Sequence, residues 1–119
     1  MQKFIVEGGV NLSGSITPSG NKNEALPVLA AALLASKPVI INNVPEILDI
    51  SIMKDLLIGI GVAIKKYEKH SYHIDPSHIQ NNNPDQNNAI RIRGSFLLAG
   101  PLLARKKSVV LPSPGGDRI

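Results

Sequence analysis

The residues best suited to chemistry begin with Lys22, in a run of small and polar residues from Pro18 to Glu24. This run leads into a predicted helix, whose first turn presents free N–H groups. A lysine there opposes the helix dipole by roughly 0.3–1 kcal/mol, a local inconsistency of the kind expected at functional sites. Lys22 and the helix N–H groups together would bind a phosphate or carboxylate. A solvated lysine beside an asparagine cap explains the same pattern.

Two arginines repeat this placement of positive charge before a second apolar helix. Arg91 and Arg93 are of the residue type that binds oxyanions in a bidentate manner. Their alternation with isoleucines also fits the exposed face of a strand. Further along, Asp117 supplies a carboxyl group to the loop Pro114–Arg118, which by itself is typical of a turn.

Composition excludes several classes of function. The 119 residues include no cysteine, which excludes thiol catalysis and cysteine-ligated metals. The net charge is +4, but the basic residues are scattered and only 3% are aromatic, so we expect no nucleic-acid partner. The longest apolar run, Ala25–Ala35, contains Pro27 and falls short of the ~20 residues of a membrane span. We expect a cytoplasmic protein without membrane contact.

His70 and His73 would point to opposite faces of a strand, so we expect no metal.

The apolar pattern predicts alternating strands and helices. It predicts strands at residues 4–6 and 10–17 and a buried helix over 25–35. A strand at 39–41, a helix from Pro45 to the glycines at 59–61, and two strands around a turn at 68–71 are predicted next. The resulting β-α-β-α-β-β order indicates an α/β unit with mixed strand pairing.

Residues 80–88, with the sequence QNNNPDQNN, are typical of a loop or linker. Beyond them we predict a strand at 89–92, a helix at 95–105 and a strand at 108–111. This second half resembles the first, because each apolar helix contains a proline and leads into a short aliphatic strand. We therefore predict a module of roughly 70 residues whose second copy is incomplete.

Several motifs, in order along the chain, resemble those of the enolpyruvyl transferases. The stretch Gly14–Pro27 resembles the family's opening signature, and Asn43-Val44-Pro45 followed by Asp49 resembles its next loop. Arg93–Arg105 resembles the helix before the catalytic loop, and Leu111–Asp117 resembles that loop.

Two positions distinguish the branches of this family. The shikimate-pathway branch has Lys-Ser in its signature and an arginine a few residues later. Here Asn23 follows Lys22, and Pro27 lies near the arginine position. The chain is therefore more similar to the amino-sugar branch.

The resemblance implies an inside-out α/β barrel built from repeats of the β-α-β-α-β-β unit, of which about one and a half are present. It implies that residues 1–21 are N-terminal strands of the first family domain and residues 22–79 the first repeat of the second. Residues 80–88 would form a polar loop, and residues 89–119 a truncated next repeat ending in the catalytic loop.

The resemblance also implies transfer of an enolpyruvyl group from phosphoenolpyruvate to the 3′-hydroxyl of UDP-N-acetylglucosamine, with release of phosphate. This is the first committed step of peptidoglycan synthesis. Lys22 and Asn23 would contact the substrates, with Lys22 as the cation for phosphoenolpyruvate, and Arg93 would belong to the nucleotide-sugar site. Asp117 lies where the family usually has a catalytic cysteine that donates a proton. No cofactor or metal is implied, and the rest of the enzyme chain is expected as a partner.

Two alternatives stay open on the sequence alone. The chain could be a non-catalytic anion-binding or interaction module, or a relative of the shikimate-pathway enzyme.

Overall fold

The computed structural model describes residues 2–115. The helices are α1 (Lys22–Ala31), α2 (Leu48–Gly59), α3 (Gln86–Ala89) and α4 (Ala99–Lys106), and the strands are β1 (Val39–Ile41), β2 (Ala63–Glu68) and β3 (Ser71–Asp75). Tight 3₁₀ turns over Ala32–Leu34 and Arg93–Leu98 follow α1 and precede α4. The α/β class is therefore confirmed. None of the described helices is long and apolar enough to cross a membrane.

Helix α1 begins at Lys22, three residues before the helix predicted over 25–35, because its first turn is capped. The Asn21 side chain accepts a hydrogen bond from the Asn23 backbone N–H at 2.7 Å, which satisfies one of the free donors of the first turn. Pro27 lies inside the helix and has no N–H to donate to the carbonyl one turn earlier. Leu29 and Ala30 are nevertheless almost fully buried. Tertiary packing therefore holds a helix whose own hydrogen bonding is incomplete.

The three strands form one sheet in the order β1-β3-β2, with both pairs antiparallel. Ile74 in the central strand pairs with Val39 on one side and Ile64 on the other. Gly61 follows α2 with φ +104°, a conformation that favours glycine, and this allows the chain to turn into β2. The predicted hairpin at 68–71 is confirmed. The mixed pairing is wrong for the described sheet, because the strand predicted at 10–17 does not join it.

The core is aliphatic, as the low aromatic content requires. It lies between the inner face of the sheet and the helices, and its fully buried side chains include those of Leu29, Met53, Leu57, Ile74 and Leu98. Helix α1 packs on α2 and on the 3₁₀ turn Arg93–Leu98, while α4 packs on the turn that follows α1. Burial of this apolar surface supplies the main driving force for folding.

The strands predicted at 4–6 and 10–17 are wrong for the described structure, in which these residues form no ladder. Phe4, Leu12 and Ile16 are at least 92% exposed. Apolar alternation predicts one face of a strand, but a strand forms only where a partner satisfies its backbone N–H and C=O groups. None of the described strands lies beside this segment.

The strands predicted at 89–92 and 108–111 are also wrong. Asp85 caps a helical turn instead, because its Oδ1 accepts hydrogen bonds from the backbone N–H groups of Asn87 and Asn88 at 2.7 and 3.3 Å. Ala89 and Ile90 therefore have helical rather than extended backbone conformation. The helix predicted at 95–105 is formed in two parts, as a 3₁₀ turn followed by α4.

Gly20 provides a direct test of how the start of α1 is placed. A Cβ atom at this position would overlap the Asn43 carbonyl oxygen and lie 2.8 Å from Pro45 Cδ. Gly20→Ala should therefore lower the free energy of unfolding by about 1–3 kcal/mol, measured by urea denaturation. Gly59→Ala is the matched control, because nothing lies within 4 Å of its added Cβ. An equal loss in both variants would contradict the close approach at Gly20.

Candidate functional site

An open cleft of about 510 Å³ lies where three segments meet. The first turn of α1, the first turn of α2 and the 3₁₀ turn Arg93–Leu98 form its walls, and Pro114 lies at its edge. Its lining residues are Lys22, Asn23, Leu26, Pro27, Asp49, Arg93, Gly94, Phe96, Leu97 and Pro114. The cleft thus combines an apolar wall with a few polar groups, a composition typical of small-molecule sites.

Lys22 is the first residue of α1, and its ammonium group lies 3.1 Å from Asp49 Oδ2. Asp49 lies in the first turn of α2, where the helix dipole favours a carboxylate. The side chains are 49% and 34% exposed, so the ion pair is weak and accessible from solvent. An anionic ligand entering the cleft would meet Lys22 next to a single competing carboxylate.

The packing of Gly94 on α1 brings Arg93 to the same cleft. A Cβ on Gly94 would lie 2.9 Å from Leu26 Cδ1, so the 3₁₀ turn approaches the helix closely because glycine has no side chain. Arg93 is exposed and lines the cleft with Lys22. Two cationic side chains from distant parts of the sequence therefore flank one space, and guanidinium and ammonium groups both bind phosphate and carboxylate.

The structure places Lys22, Asn23 and Arg93 in the lining of the same cleft. Arg91 is different, because its guanidinium donates to Asn88 Oδ1 at 3.0 Å and it does not line the cleft. Asp117, the predicted proton donor, lies outside the described residues. The catalytic and binding roles of these residues stay predictions.

Asp49 is the polar cleft residue that the sequence did not identify as part of a site. Its position in the first turn of a helix was a usable signal, because carboxylates are common there. Its pairing with Lys22 was not predictable, since the two residues lie 27 positions apart. Only the packing of α1 on α2 places them in contact.

The groups with displaced pKa values lie outside the cleft. Lys66 donates to Glu46 at 3.0 Å, and this hydrogen bond with the accompanying charge attraction lowers the pKa of Glu46 and raises that of Lys66. Hydrogen bonds from the Ser77 side chain and backbone lower the pKa of Asp75. The first contact ties the loop before α2 to the edge strand β2, and the second fixes the turn that follows the central strand β3. No cluster of three potential metal ligands occurs among residues 2–115.

Comparison with known proteins assigns the fold. The sequence pattern of the family described as EPSP synthase (3-phosphoshikimate 1-carboxyvinyltransferase) matches residues 6–119. The chain belongs to this family. A curated relative from Bradyrhizobium diazoefficiens, UDP-N-acetylglucosamine 1-carboxyvinyltransferase, is 50% identical over 98% of this chain. The protein of the same name from Treponema denticola is 42% identical over the whole chain.

A solved structure supports the same conclusion. The enolpyruvyl transferase NikO from Streptomyces tendae matches 83% of this chain with a TM-score of 0.69 and 29% identity. The enolpyruvyl transferase resemblance is thus confirmed. The chain spans 27% and 28% of the two curated relatives and 23% of the NikO chain.

The placement of Asp49 predicts a small, salt-dependent contribution to stability. Asp49→Asn should lower the free energy of unfolding by about 1 kcal/mol, because it removes both an exposed ion pair and a favourable charge at a helix start. Urea denaturation at low and at high NaCl measures this loss, which should shrink as salt screens the charges. Asp55→Asn, an exposed change on the same helix, is the control. Equal losses in the two variants would contradict a specific role for the Lys22 pair.

Proposed function

We propose that this chain provides part of the active site for transfer of an enolpyruvyl group from phosphoenolpyruvate to the 3′-hydroxyl of UDP-N-acetylglucosamine. The observation that carries the proposal is the single cleft lined by Lys22, Asn23 and Arg93. The names of the curated relatives support the choice of acceptor. The cleft volume of about 510 Å³ is within the range of small-molecule sites.

In the proposed reaction, the sugar hydroxyl gives up its proton to a base in the rest of the enzyme and attacks C2 of phosphoenolpyruvate, while C3 accepts a proton from an acid. The addition product then loses a proton from C3 and the C–O bond to phosphate breaks, which releases inorganic phosphate and leaves the enol ether. Lys22 neutralises the anionic donor next to the start of α1. Arg93 binds the nucleotide sugar, and Asn23 orients the bound substrates through its amide.

Asp117 is proposed as the acid that protonates C3. A carboxylic acid performs this step only while it keeps its proton, so the closed site must exclude water and raise its pKa. The carboxyl group replaces the cysteine that is usual in the family. It cannot form the thioether adducts that a cysteine forms, so epoxide inhibitors of the fosfomycin kind lose their target.

The cellular setting is part of the same proposal. The reaction would take place in the cytoplasm and supply peptidoglycan synthesis, and so cell-wall growth, shape and division. The remaining catalytic groups would come from further enzyme sequence, in line with the fraction of the relatives that this chain spans. We propose no nucleic-acid or membrane partner.

A fusion protein tests the proposal. This chain would replace the matching residues of the Bradyrhizobium diazoefficiens relative, and phosphate release from phosphoenolpyruvate and UDP-N-acetylglucosamine would be measured. The fusion should be active, and Lys22→Ala should lower kcat/KM by at least about 100-fold, because a preorganised charge at a developing anion is lost.

Lys37→Ala is the matched control, since Lys37 is exposed and does not line the cleft. Full activity of the Lys22→Ala fusion would refute the site assignment. Binding of phosphoenolpyruvate with no turnover in a fully folded fusion would favour the non-catalytic anion-binding module.

The second test concerns residue 117. The fusion with Asp117 should resist fosfomycin, while Asp117→Cys should be inactivated with time and show the added inhibitor mass by mass spectrometry, because a thiolate opens the epoxide. Asp117→Asn, which keeps the shape but cannot donate an acidic proton, should lose activity. Retention of activity in Asp117→Asn would contradict the role of proton donor.

A further inference from the structure

The Asn-rich segment 80–88 is not a simple linker, because its side chains bind another part of the chain. Asn82 Nδ2 donates to the Ser108 carbonyl oxygen at 3.1 Å and to Ser108 Oγ at 2.7 Å. The backbone carbonyl oxygen of Asn82 accepts a hydrogen bond from the Val110 backbone N–H at 3.4 Å. Gln86 Nε2 donates to the Val110 carbonyl oxygen at 3.3 Å. Together these contacts form an amide clamp, made by Asn82 and Gln86.

The clamp takes the place of strand pairing. Residues 108–111 have an aliphatic sequence suited to a strand, yet they pair with none of the described strands. Their backbone N–H and C=O groups still need partners, which are either water, since Ser108 and Val110 are exposed, or other parts of the chain. A side-chain amide offers the same donor and acceptor as a peptide group, so Asn82 and Gln86 satisfy part of this need without a ladder.

The clamp is itself held in place at both ends. Asn81 Oδ1 accepts from the Asn83 backbone N–H at 3.0 Å, and Asn81 Nδ2 donates to the Gly59 carbonyl oxygen at 3.3 Å, at the end of α2. Gln86 Nε2 also donates to the Pro84 carbonyl oxygen at 2.9 Å. The side chains that hold residues 108–110 thus extend from a segment tied to the core helix.

The clamped segment leads directly to the cleft. Pro114 lines the cleft, and Gly115 lies against the Ile90 carbonyl oxygen so closely that a Cβ would overlap it. Residues 108–115 are therefore fixed near one end by the clamp and at the other by Ile90. Asp117 follows two residues after Gly115.

We propose that Asn82 and Gln86 are positioning residues that fix the path of residues 108–115 and thereby the place of Pro114 at the cleft, three residues before Asp117 in the sequence. They touch no substrate and act through the backbone that they hold. This inference rests on the proposed function for its catalytic consequence, but the clamp itself is testable without activity.

The first experiment uses the 119-residue chain and amide NMR. Asn82→Ala should shift the amide signals of Ser108–Leu111 and Gly115 and lower their heteronuclear NOE values, while signals of α1 and α2 stay unchanged. Asn82→Asp, which keeps the shape but cannot donate, should do the same. Asn83→Ala is the control, because no hydrogen bond of the Asn83 side chain occurs within residues 2–115. Unchanged signals at 108–115 in Asn82→Ala, or equal changes in the control, would overturn the inference.

The second experiment measures kinetics in the Bradyrhizobium fusion. Asn82→Ala should lower kcat between about fivefold and 100-fold, because small misplacements of a reacting group are costly. The KM for UDP-N-acetylglucosamine should change less than about twofold, because binding residues in the cleft are untouched. Unchanged kcat, or a matching loss in Asn83→Ala, would overturn the positioning role. An inactive wild-type fusion would refute the proposed function instead, and the NMR result would then decide the clamp alone.

Discussion

The first turn of α1 is fixed from two directions, and the cleft depends on this constraint. From within the chain, the Asn21 side chain caps the helix by binding the Asn23 N–H. From outside, Gly20 packs against Asn43 and Pro45 with no room for a side chain. A local cap determines the residue at which a helix starts. A close backbone contact fixes the position of that first turn relative to the rest of the fold. Both are needed to hold Lys22 beside Asp49.

The second wall of the cleft depends on a different kind of contact. The turn at Arg93 approaches α1 through Gly94, and the segment that ends at Pro114 is held by side-chain amides rather than by a sheet. The aliphatic core under α1 and α2 supplies the stability, while a few polar contacts and glycines set the geometry above it.

The parts of this fold that were predictable are those governed by nearby residues. The Asn21 cap, the turn after Gly61 and the hairpin between β2 and β3 each follow from a few neighbouring residue types. The strands predicted at 10–17 and 89–92 were wrong for the opposite reason. Alternation of apolar and polar residues indicates which face of a strand would be buried, but it does not identify the strand that would pair with it. A strand without such a partner has unsatisfied backbone N–H and C=O groups.

The same distinction applies to the candidate site. Lys22 was identified because a cation at a helix start conflicts with the helix dipole, which is a local fact. Arg93 was as consistent with an exposed strand as with a ligand, and only the packing of Gly94 on Leu26 placed it at the cleft. The resemblance to the enolpyruvyl transferases supplied the roles that geometry alone does not assign.

The charge balance of the cleft follows from how exposed its ion pair is. An exposed pair contributes about 0–1 kcal/mol, so Asp49 holds Lys22 only weakly. Under the proposed function, the doubly charged phosphate of phosphoenolpyruvate at Lys22 would make stronger, charge-assisted hydrogen bonds to the ammonium group. Asp49 thus orients the lysine at little energetic cost to ligand binding. Under the proposed function, a buried ion pair at the same place would weaken ligand binding, because a ligand that displaced Asp49 from Lys22 would leave the buried carboxylate without a partner.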